Sequence, residues 1–256
     1  MMSPEASTLR VQSYWDAHIH DSVIARQEAG TELFFQELAE YHFDKLDYLM
    51  RVAGFDRYAG KRVLEVGCGI GIDLVRFARG GARVTGVDLS ERAVELAGKN
   101  FSYQGLAAQL EVMDGEALKY ADSSFDFVYA HGVLQYTPNP ERMVSEIRRV
   151  LKPGGEALLQ VYNRWSWLNA LSKITRVDIE HLNAPILRLY SPEEFKRLVS
   201  AFASVSIFTE RFPVKSRLHR GVMAFFYNSL FVPAFNLIPR IFVKSFGWHL
   251  IAKAVK

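Results

Sequence analysis

The feature that most constrains the fold is a regular alternation of apolar runs and amphipathic segments that begins near residue 61. The runs RVLEVG, ARVTGVDLS, AQLEVMD, FDFVYAHGVL and EALLQVYN have the composition of buried strands, and helical patterns lie between them. SVSIFTERF and WHLIAKAV indicate two further strands. Strands that alternate with helices predict an α/β fold with a parallel sheet covered on both faces. Ligands of such sheets bind beyond the carboxyl ends of the strands.

Capping signals mark where several of the helices begin. Ser90 precedes ERAVELAGKNF, Asn139-Pro140 precedes ERMVSEIRRVLK, and Ser191-Pro192-Glu193-Glu194 is a capping box before EEFKRLVSAF. The residues before the alternation predict a helical cap over 1–58, with one helix running through TELFFQELAEYHFDKLDYLMRVAG as far as Gly54. Residues 59–256 are then expected to form the sheet-containing domain.

Composition excludes several classes of protein. The chain has 256 residues, of which 49% are hydrophobic, so it can bury a sizeable core and global disorder is not expected. Cys68 is the only cysteine, which excludes an intrachain disulfide framework and a multi-cysteine metal site. We expect no metal site. The N-terminus lacks a basic region followed by an apolar core, so no signal peptide is predicted and a cytoplasmic location is expected.

The stretch VLEVGCGIGIDL places three glycines, Gly67, Gly69 and Gly71, where the first strand turns into the first helix. Glycine lets the backbone bend sharply and approach a ligand closely. The spacing G-x-G-x-G differs from the G-x-G-x-x-G of dinucleotide-binding folds. Asp88 ends the second strand, where a carboxylate can accept hydrogen bonds from both hydroxyls of a ribose. These features predict an adenosine-type ligand and leave NAD open.

Several of these stretches together resemble a known family. VLEVGCGIG, VTGVDLS, MDGEALKYADSSFDFVYAHGVLQY and RRVLKPGG are similar to the motifs of the class I S-adenosylmethionine-dependent methyltransferases, in the small-molecule, ubiquinone-pathway-like branch of methyltransferase type 11. The resemblance is close over about residues 61–160. It implies a Rossmann-like doubly wound sheet of seven strands with an antiparallel last strand, and S-adenosylmethionine as the cofactor.

The resemblance also implies roles for individual residues. Glu65 and the glycine loop, which includes Cys68 as a small filler, would lie by the methionine part, Asp88 and Leu89 by the ribose, and Asp114, Gly115 and Glu116 by the adenine. His131 ends the fourth strand, beside the methionine moiety. Near the N-terminus, Tyr14-Trp15 resembles a lid over the methionine end, with the alternative that Trp15 only packs the cap.

Methyl transfer from a sulfonium is an in-line displacement that mainly needs alignment, with a base when the acceptor is neutral. The candidate catalytic residues are His18 and Tyr136, followed by His131. Further candidates for a base are His20, His181 and Tyr162. An insertion at about 163–190 could line an acceptor pocket or simply pack on the sheet, and the residues considered there are Trp165, Trp167, His181, Arg188 and Tyr190.

A second insertion, at about 211–246, differs in character from the rest of the chain. No Asp or Glu follows Glu210, whereas eight Lys or Arg residues do. This pattern leaves open a pocket lid or homodimer contact, a membrane-surface contact flanked by basic residues, and a membrane span, which its prolines and asparagines disfavour. Nucleic acid is not expected as a partner, because the rest of the chain is mildly acidic and no base-reading module is visible.

The sequence therefore predicts a methyltransferase that acts on a small, apolar or aromatic acceptor. Methylation of a lipid or quinone-type acceptor at a membrane is the first alternative. A nucleotide-type binder, an aminopropyl transferase and an interaction protein without enzymatic activity are the others. The motifs do not identify the acceptor or the methylated atom.

Overall fold

The computed structural model describes residues 4–175, 181–215, 222 and 225–256. A seven-stranded sheet in the order β3-β2-β1-β4-β5-β7-β6 lies at its centre. Six strands are parallel, and β7 is antiparallel to both of its neighbours. The strands are β1 Arg62–Val66, β2 Arg83–Asp88, β3 Gln109–Val112, β4 Phe125–Ala130, β5 Leu151–Tyr162, β6 Ser204–Glu210 and β7 His249–Val255. The predicted sheet, including its antiparallel last strand, is confirmed.

Helices lie before, between and after these strands. Before the sheet come α1 Pro4–Ala17, a 3-10 turn Ser22–Ile24, α2 Glu32–Lys45 and α3 Leu49–Val52. Between the strands come α4 Ile72–Arg79, α5 Glu91–Tyr103, α6 Pro140–Val150, α7 Trp167–Thr175 and α8 Pro192–Leu198. Between β6 and β7 come a π-helical turn Phe226–Phe231 and the short helices Val232–Asn236 and Arg240–Val243.

Both faces of the sheet are covered, as the continuous apolar runs of its parallel strands require. In β4, Val128 packs into a core with α6 and α8, whereas Phe127 and Tyr129 pack into a second core with α3 and α4. Helix α4 turns Leu74 and Phe77 inward, and both are fully buried. This arrangement leaves the carboxyl edge of the sheet as the region where loops can build a site.

The predicted helix starts agree with the structure. Ser90 accepts a hydrogen bond from the Ala93 N–H, and Asn139 accepts one from the Arg142 N–H. Ser191 and Glu194 form the reciprocal capping box. Short polar side chains at these positions satisfy N–H groups that have no partner within the helix.

Two helix predictions were wrong in their extent. The helix predicted to run as far as Gly54 is interrupted, because α2 ends at Lys45 and α3 begins only at Leu49. Helix α6 ends at Val150, since β5 already begins at Leu151 and pairs there with Phe125 of β4. At the end of α6, strand pairing therefore takes residues that the helical pattern had included.

The N-terminal helices pack over the carboxyl edge of the sheet. Phe34, Phe35 and Leu38 of α2 are buried against Ile70 and Leu96, next to the glycine loop and α5. Asp16 of α1 accepts a hydrogen bond of 2.7 Å from the Ser90 hydroxyl, at the start of α5. The division into a cap over residues 1–58 and a domain over 59–256 stays a prediction.

The segment between β6 and β7 begins and ends at one point of the fold. The carbonyl of Arg211 accepts hydrogen bonds from the Trp248 N–H, at 3.1 Å, and from the Trp167 indole N–H, at 2.9 Å. Part of this segment, at 216–221, 223 and 224, lies outside the described residues, as does 176–180 of the earlier insertion. Within the described residues, no helix has the length and apolar character needed to cross a bilayer.

Candidate active site

The glycine loop joins β1 to α4 at the carboxyl edge of the sheet. Gly67, Gly69 and Gly71 have φ of 75°, 51° and 77°, which side chains rarely allow. A Cβ on Gly67 would lie 2.8 Å from that of Val133, whereas one on Gly69 would meet no atom within 4 Å. Gly67 therefore allows close packing, and Gly69 leaves its surroundings open for another molecule.

Three carboxylates lie at the ends of β1, β2 and β3. Glu65 Oε2 is buried and has no hydrogen-bond partner among the described residues. Burial, with repulsion from Asp73 and Asp88, raises the pKa of Glu65 well above its ordinary value. Asp88 accepts from the N–H groups of Gly69 and Ser90, at 2.8 and 2.9 Å, while burial raises its pKa. Asp114 accepts from the Glu116 N–H at 2.8 Å.

One cavity of about 220 Å³ joins this edge to the ends of β4, β5 and β7. Of the sequence-predicted residues, those that line the cavity are Trp15, His18, Glu65, Gly67, Cys68, Gly69, Asp88, Leu89, Asp114, Gly115, His131 and Tyr136. His20 and Tyr162, the further candidates for a base, also line it. Residues from the first 20 positions and from all parts of the sheet edge thus face the same space.

Three predicted cofactor residues lie just outside the cavity lining. Tyr14 has its hydroxyl 3.3 Å from His181 Nδ1. Gly71 begins α4, where a Cβ would lie 3.2 Å from the ring of Phe101. Glu116 accepts hydrogen bonds from the Thr137 hydroxyl and, at 2.6 Å, from the Asn139 N–H. Tyr14 also stacks on His18, and the Gly71 N–H donates to the Cys68 carbonyl at 2.9 Å. Since His18, Cys68 and Thr137 line the cavity, each of the three residues contacts the lining.

The insertion residues contribute less than the sequence suggested. None of Trp165, Trp167, His181, Arg188 and Tyr190 is among the lining residues of the cavity in the described part of the chain. Trp165 is exposed, and Arg188 donates to the carbonyls of Thr137 and Pro138. Arg188 thus contacts two residues that line the cavity, since Thr137 and Pro138 are both in the lining.

A network of four polar side chains at the far end of the cavity was missed by sequence reasoning, apart from His131. Tyr48 Oη lies 2.8 Å from His131 Nε2 and 2.6 Å from His249 Nδ1. His249 Nε2 lies 3.2 Å from Arg211 Nη1. Burial lowers the pKa of His131 to about 3 and that of His249 well below its ordinary value, so both rings are neutral. We call these four residues the Arg211 network.

A second buried group lies between the Arg211 network and the glycine loop. Asp73 accepts hydrogen bonds from Tyr129 Oη and His42 Nε2, both at 2.9 Å. Burial by itself would raise the pKa of Asp73, but the interactions with His42 and Tyr129 lower it below its ordinary value. The carboxylate thus stays charged close to Glu65, which explains part of the upward shift of Glu65.

Aromatic rings enclose the end of the cavity at β4, β5 and β7. Trp15 makes an edge contact with Tyr136, at 5.0 Å between ring centroids, and Tyr136 Oη donates to Tyr162 Oη at 3.2 Å. Tyr162 stacks on His249, at 5.6 Å. Gln160 of β5 also lines the cavity, and no described residue forms a hydrogen bond with its buried Nε2.

One signal in the sequence could have located His249. An antiparallel strand begins at the edge where its parallel neighbours end, so the first residue of β7 lies beside the ends of β5 and β6. His249 pairs with Tyr162 and Glu210 at that edge. Tyr48 carries no comparable signal, because it lies in the unpredicted break between α2 and α3.

Residues 64–159 match the family model described as a methyltransferase domain. The chain is 36% identical to a ubiquinone biosynthesis O-methyltransferase of Ralstonia nicotianae over 131 residues. The aligned segment covers 51% of this chain and 54% of that protein. The chain is 40% identical to a sterol 24-C-methyltransferase of Gibberella zeae over 114 residues, and this aligned segment covers 43% of this chain and 28% of that protein. Residues 64–159 are therefore identified as a class I S-adenosylmethionine-dependent methyltransferase domain. The chain spans about half the length, or less, of these curated relatives.

Solved structures agree with this fold. A geranyl diphosphate C-methyltransferase from Streptomyces coelicolor A3(2), in complex with Mg²⁺, geranyl diphosphate and S-adenosyl-L-homocysteine, superimposes with a TM-score of 0.60 at 17% identity, covering 97% of this chain and 98% of that one. A SAM-dependent methyltransferase from Thermotoga maritima gives a TM-score of 0.57 at 22% identity, covering 87% and 97%. At such identities the likeness shows the fold.

The methyltransferase domain offers suitable groups to the donor of this family. The unpartnered Glu65 oxygen suits an ammonium group, and the open space at Gly69 suits a ligand that lies against the backbone. Among the described residues, no group of three or more His, Cys, Asp or Glu side chains is arranged to hold a metal ion. The residues at the donor end therefore fit S-adenosylmethionine.

Proposed function

We propose that the protein transfers the methyl group of S-adenosylmethionine to a small, apolar or aromatic acceptor. The observation that carries this proposal is the single cavity that connects the carboxylates of β1–β3 with the aromatic, histidine-containing end of β4, β5 and β7. A donor held at one end and an acceptor at the other would meet within one enclosed space. The family and fold support the donor, and the lining supports the class of acceptor.

At the donor end, each group has a role that its chemistry suits. Glu65 would accept hydrogen bonds from the ammonium of the methionine part, and Asp88 would exchange its bonds to the Gly69 and Ser90 N–H groups for the ribose hydroxyls, or share them. Asp114 and Gly115 would face the adenine. Charge-assisted bonds of this kind are about twice as strong as neutral ones.

The transfer forms one bond and breaks one. A lone pair or carbanion of the acceptor attacks the methyl carbon in line with sulfur, the C–S bond breaks, and its electrons stay on the sulfur of S-adenosylhomocysteine. The sulfonium supplies the electrophile, so the protein has to align the reactants and exclude water. Trp15, Tyr136 and Tyr162 provide the apolar walls for this.

A neutral acceptor also needs a base, and His18 suits this role best. Its Nδ1 lies 2.8 Å from the backbone carbonyl of Tyr14, which can only accept, so Nδ1 carries the proton. Nε2 is then the ring nitrogen that can accept a proton, and His18 lines the cavity. His131 is a weaker candidate, because its low pKa makes it a poor base at neutral pH.

The test has two stages. Calorimetry should show that S-adenosylmethionine and S-adenosylhomocysteine bind, and NAD should not compete with them. A screen of phenols, quinols and small carbon acids, read by release of S-adenosylhomocysteine, should then identify acceptors. Absence of donor binding by the folded protein would overturn the proposal. Replacement of His18 by Gln should lower kcat for neutral acceptors and leave donor affinity unchanged.

The described residues between β6 and β7 favour a second candidate, methylation of a lipid or quinone-type acceptor at a membrane surface. Large apolar side chains are unusually exposed there, including Leu237 (84%), Phe242 (71%) and Ile241 (69%). Arg240 and Lys244 lie among them, and positions 211–256 contain no acidic residue. An apolar surface bordered by cations is suited to anionic phospholipid, whereas a symmetric contact between two copies would bring like charges together.

Liposome sedimentation tests this candidate. The protein should sediment with vesicles of phosphatidylcholine and phosphatidylserine, less with phosphatidylcholine alone, and much less after Ile241→Ser and Phe242→Ser. Val23→Ser is the matched control, because Val23 is 86% exposed on the N-terminal part of the chain. Equal sedimentation of all variants would contradict the candidate. Concentration-dependent dimers that the Ser variants abolish would instead identify a second copy as the partner.

A further inference from the structure

The hydrogen bonds of the Arg211 network have only one consistent direction. A guanidinium donates and never accepts, so His249 Nε2 must accept from Arg211. A neutral imidazole has one acceptor and one donor nitrogen, so the proton of His249 lies on Nδ1 and is donated to Tyr48 Oη, 2.6 Å away. Tyr48 has a single proton, which it donates to His131 Nε2 at 2.8 Å.

It follows that His131 accepts at Nε2 and carries its own proton on Nδ1. Burial raises the pKa of the Tyr48 hydroxyl well above its ordinary value, so Tyr48 remains a donor at neutral pH. The far end of the network is Arg211, which does not lose its proton in proteins. No group in the network can therefore take a proton from His131 or pass one away, and the ring is held neutral.

Gln160 has a fixed orientation for a similar reason. The backbone N–H of Gly132 can only donate, and it lies 2.8 Å from Gln160 Oε1. The amide nitrogen of Gln160 therefore points elsewhere. Gln160 lines the cavity, and this Nε2 is fully buried without a partner in the part of the chain that the structure describes. A buried donor without a partner destabilises the fold, so Gln160 Nε2 is expected to have a partner when the site is in use.

We propose that Arg211, His249 and Tyr48 hold His131 as a neutral hydrogen-bond donor, and that His131 and Gln160 together bind an oxygen atom of the methyl acceptor. The first half stands on the geometry of the network; the second half rests on the proposed methyltransferase function. Tyr48, His249 and Arg211 are positioning residues, since they act through His131.

This assignment narrows the class of acceptor. Two N–H donors at the ends of β4 and β5 suit a carbonyl, phenol or enol oxygen next to the apolar walls of the cavity. Donors placed at such an oxygen stabilise its anionic form, so they would help a bound phenol or enol lose its proton. A purely hydrocarbon acceptor would leave Gln160 Nε2 unpaired and is disfavoured.

The first half is tested without any substrate, by nitrogen NMR of protein labelled at its histidine rings. His131 and His249, assigned from His131→Asn and His249→Asn spectra, should both carry the proton on Nδ1 and should not titrate between pH 5 and 8. Tyr48→Phe should let His131 populate the other tautomer or titrate, whereas Tyr103→Phe, at a half-exposed position on α5, should change neither ring. A proton on Nε2 of His131, or a titration of either ring with its midpoint near pH 6.5, would overturn the assignment.

The second half is tested with two probes that differ in one oxygen, acetophenone and ethylbenzene, added to the complex with S-adenosylhomocysteine. Acetophenone should shift the His131 Nδ1–H signal and ethylbenzene should not. Gln160→Met should weaken acetophenone binding about fivefold, the expected effect of one neutral hydrogen bond, with S-adenosylhomocysteine affinity nearly unchanged. Equal responses to the two probes, or none to acetophenone, would overturn this half. Loss of S-adenosylhomocysteine binding in the wild type would instead refute the proposed function and leave the tautomer result standing.

Discussion

The two ends of the cavity are built in different ways. The donor end uses Glu65, the glycine loop, Asp88 and Asp114, which follow one another along three successive strands. The acceptor end brings together Tyr48 and His249, which are 201 positions apart in the sequence. Local turns therefore determine the first end, and long-range strand pairing determines the second. The two ends should respond differently to mutation and to pH.

The largest expected effect is at the donor end. Gly69→Val should weaken S-adenosylmethionine binding at least 100-fold, because the new side chain would occupy the open space beside the loop. The left-handed backbone conformation adds a stability cost of about 1–2 kcal/mol. Calorimetry and urea unfolding measure the two effects separately.

Gly105→Val separates the backbone effect from the effect on the ligand. Gly105 has φ of 63° and open surroundings as well, but it follows α5 and does not line the cavity. It should lose similar stability and keep its donor affinity. Equal losses of donor affinity in the two variants would show that the glycine loop affects binding only through the stability of the fold. The claim that local turns build the donor end would then be wrong.

Next in size is Glu65→Gln, whose effects on affinity and stability should have opposite signs. Loss of one charged hydrogen-bonding partner is expected to weaken donor binding about 10- to 100-fold. The raised pKa of Glu65 means that the folded state holds its proton to higher pH than the unfolded state, so stability falls as pH rises above about 4.5. Gln removes this penalty, and the ligand-free variant should be more stable at pH 7.

Thermal unfolding with and without S-adenosylhomocysteine checks both signs in one experiment. Asp56→Asn, an exposed acid on the loop before β1, is the control and should change neither value. A ligand-free Glu65→Gln protein that is less stable than the wild type at pH 7 would mean that the carboxylate has a stabilising partner in the fold.

The same contrast explains how much could be predicted from the sequence. The strands, the parallel direction of those that alternate with helices, and the caps at Ser90, Asn139 and Ser191 follow from patterns within a few residues. The antiparallel direction of the last strand was implied by the resemblance to the family. The donor carboxylates follow from their place at strand ends. Tyr48 and Arg211 could not be found in this way. Arg211 lines the cavity, and Tyr48 contacts His131 and His249, only because the fold brings together residues that are far apart along the chain. The break at Leu46 was missed because the apolar spacing continues through it.

The acceptor end should have the opposite dependence on pH to Glu65. His131 and His249 are neutral in the folded protein, and the unfolded chain binds protons below pH 6.5. Stability should therefore fall as pH drops from 6.5 towards 3, by about 1.4 kcal/mol per pH unit for each ring when the unfolded form is fully protonated. Urea unfolding at pH 7 and pH 5 measures this loss.

A variant isolates the contribution of one ring. His249→Gln removes a group that must stay neutral, so its stability should fall less between pH 7 and pH 5 than that of the wild type, whatever its stability at pH 7. Leu9→Ala, at an exposed position on α1, removes no titratable group and should follow the wild type. Parallel curves for all three proteins would mean that the histidines of the network are not neutral when folded.

The smallest effect is expected at Cys68, although it lies between two glycines of the loop. Its side chain is 4% exposed and its Sγ would lie 3.0 Å from a Cβ on Gly86, so it fills space between β1 and β2. Burial raises the pKa of the thiol well above its ordinary value, so no thiolate is available. Cys68→Ala should keep donor affinity within about threefold, which is less than the effect of losing one hydrogen bond to a charged group.

Iodoacetamide should not label the thiol of the folded wild type. Rapid labelling, or a large loss of turnover in Cys68→Ala, would place the thiol in the chemistry; the expected result places the function of the loop in its backbone.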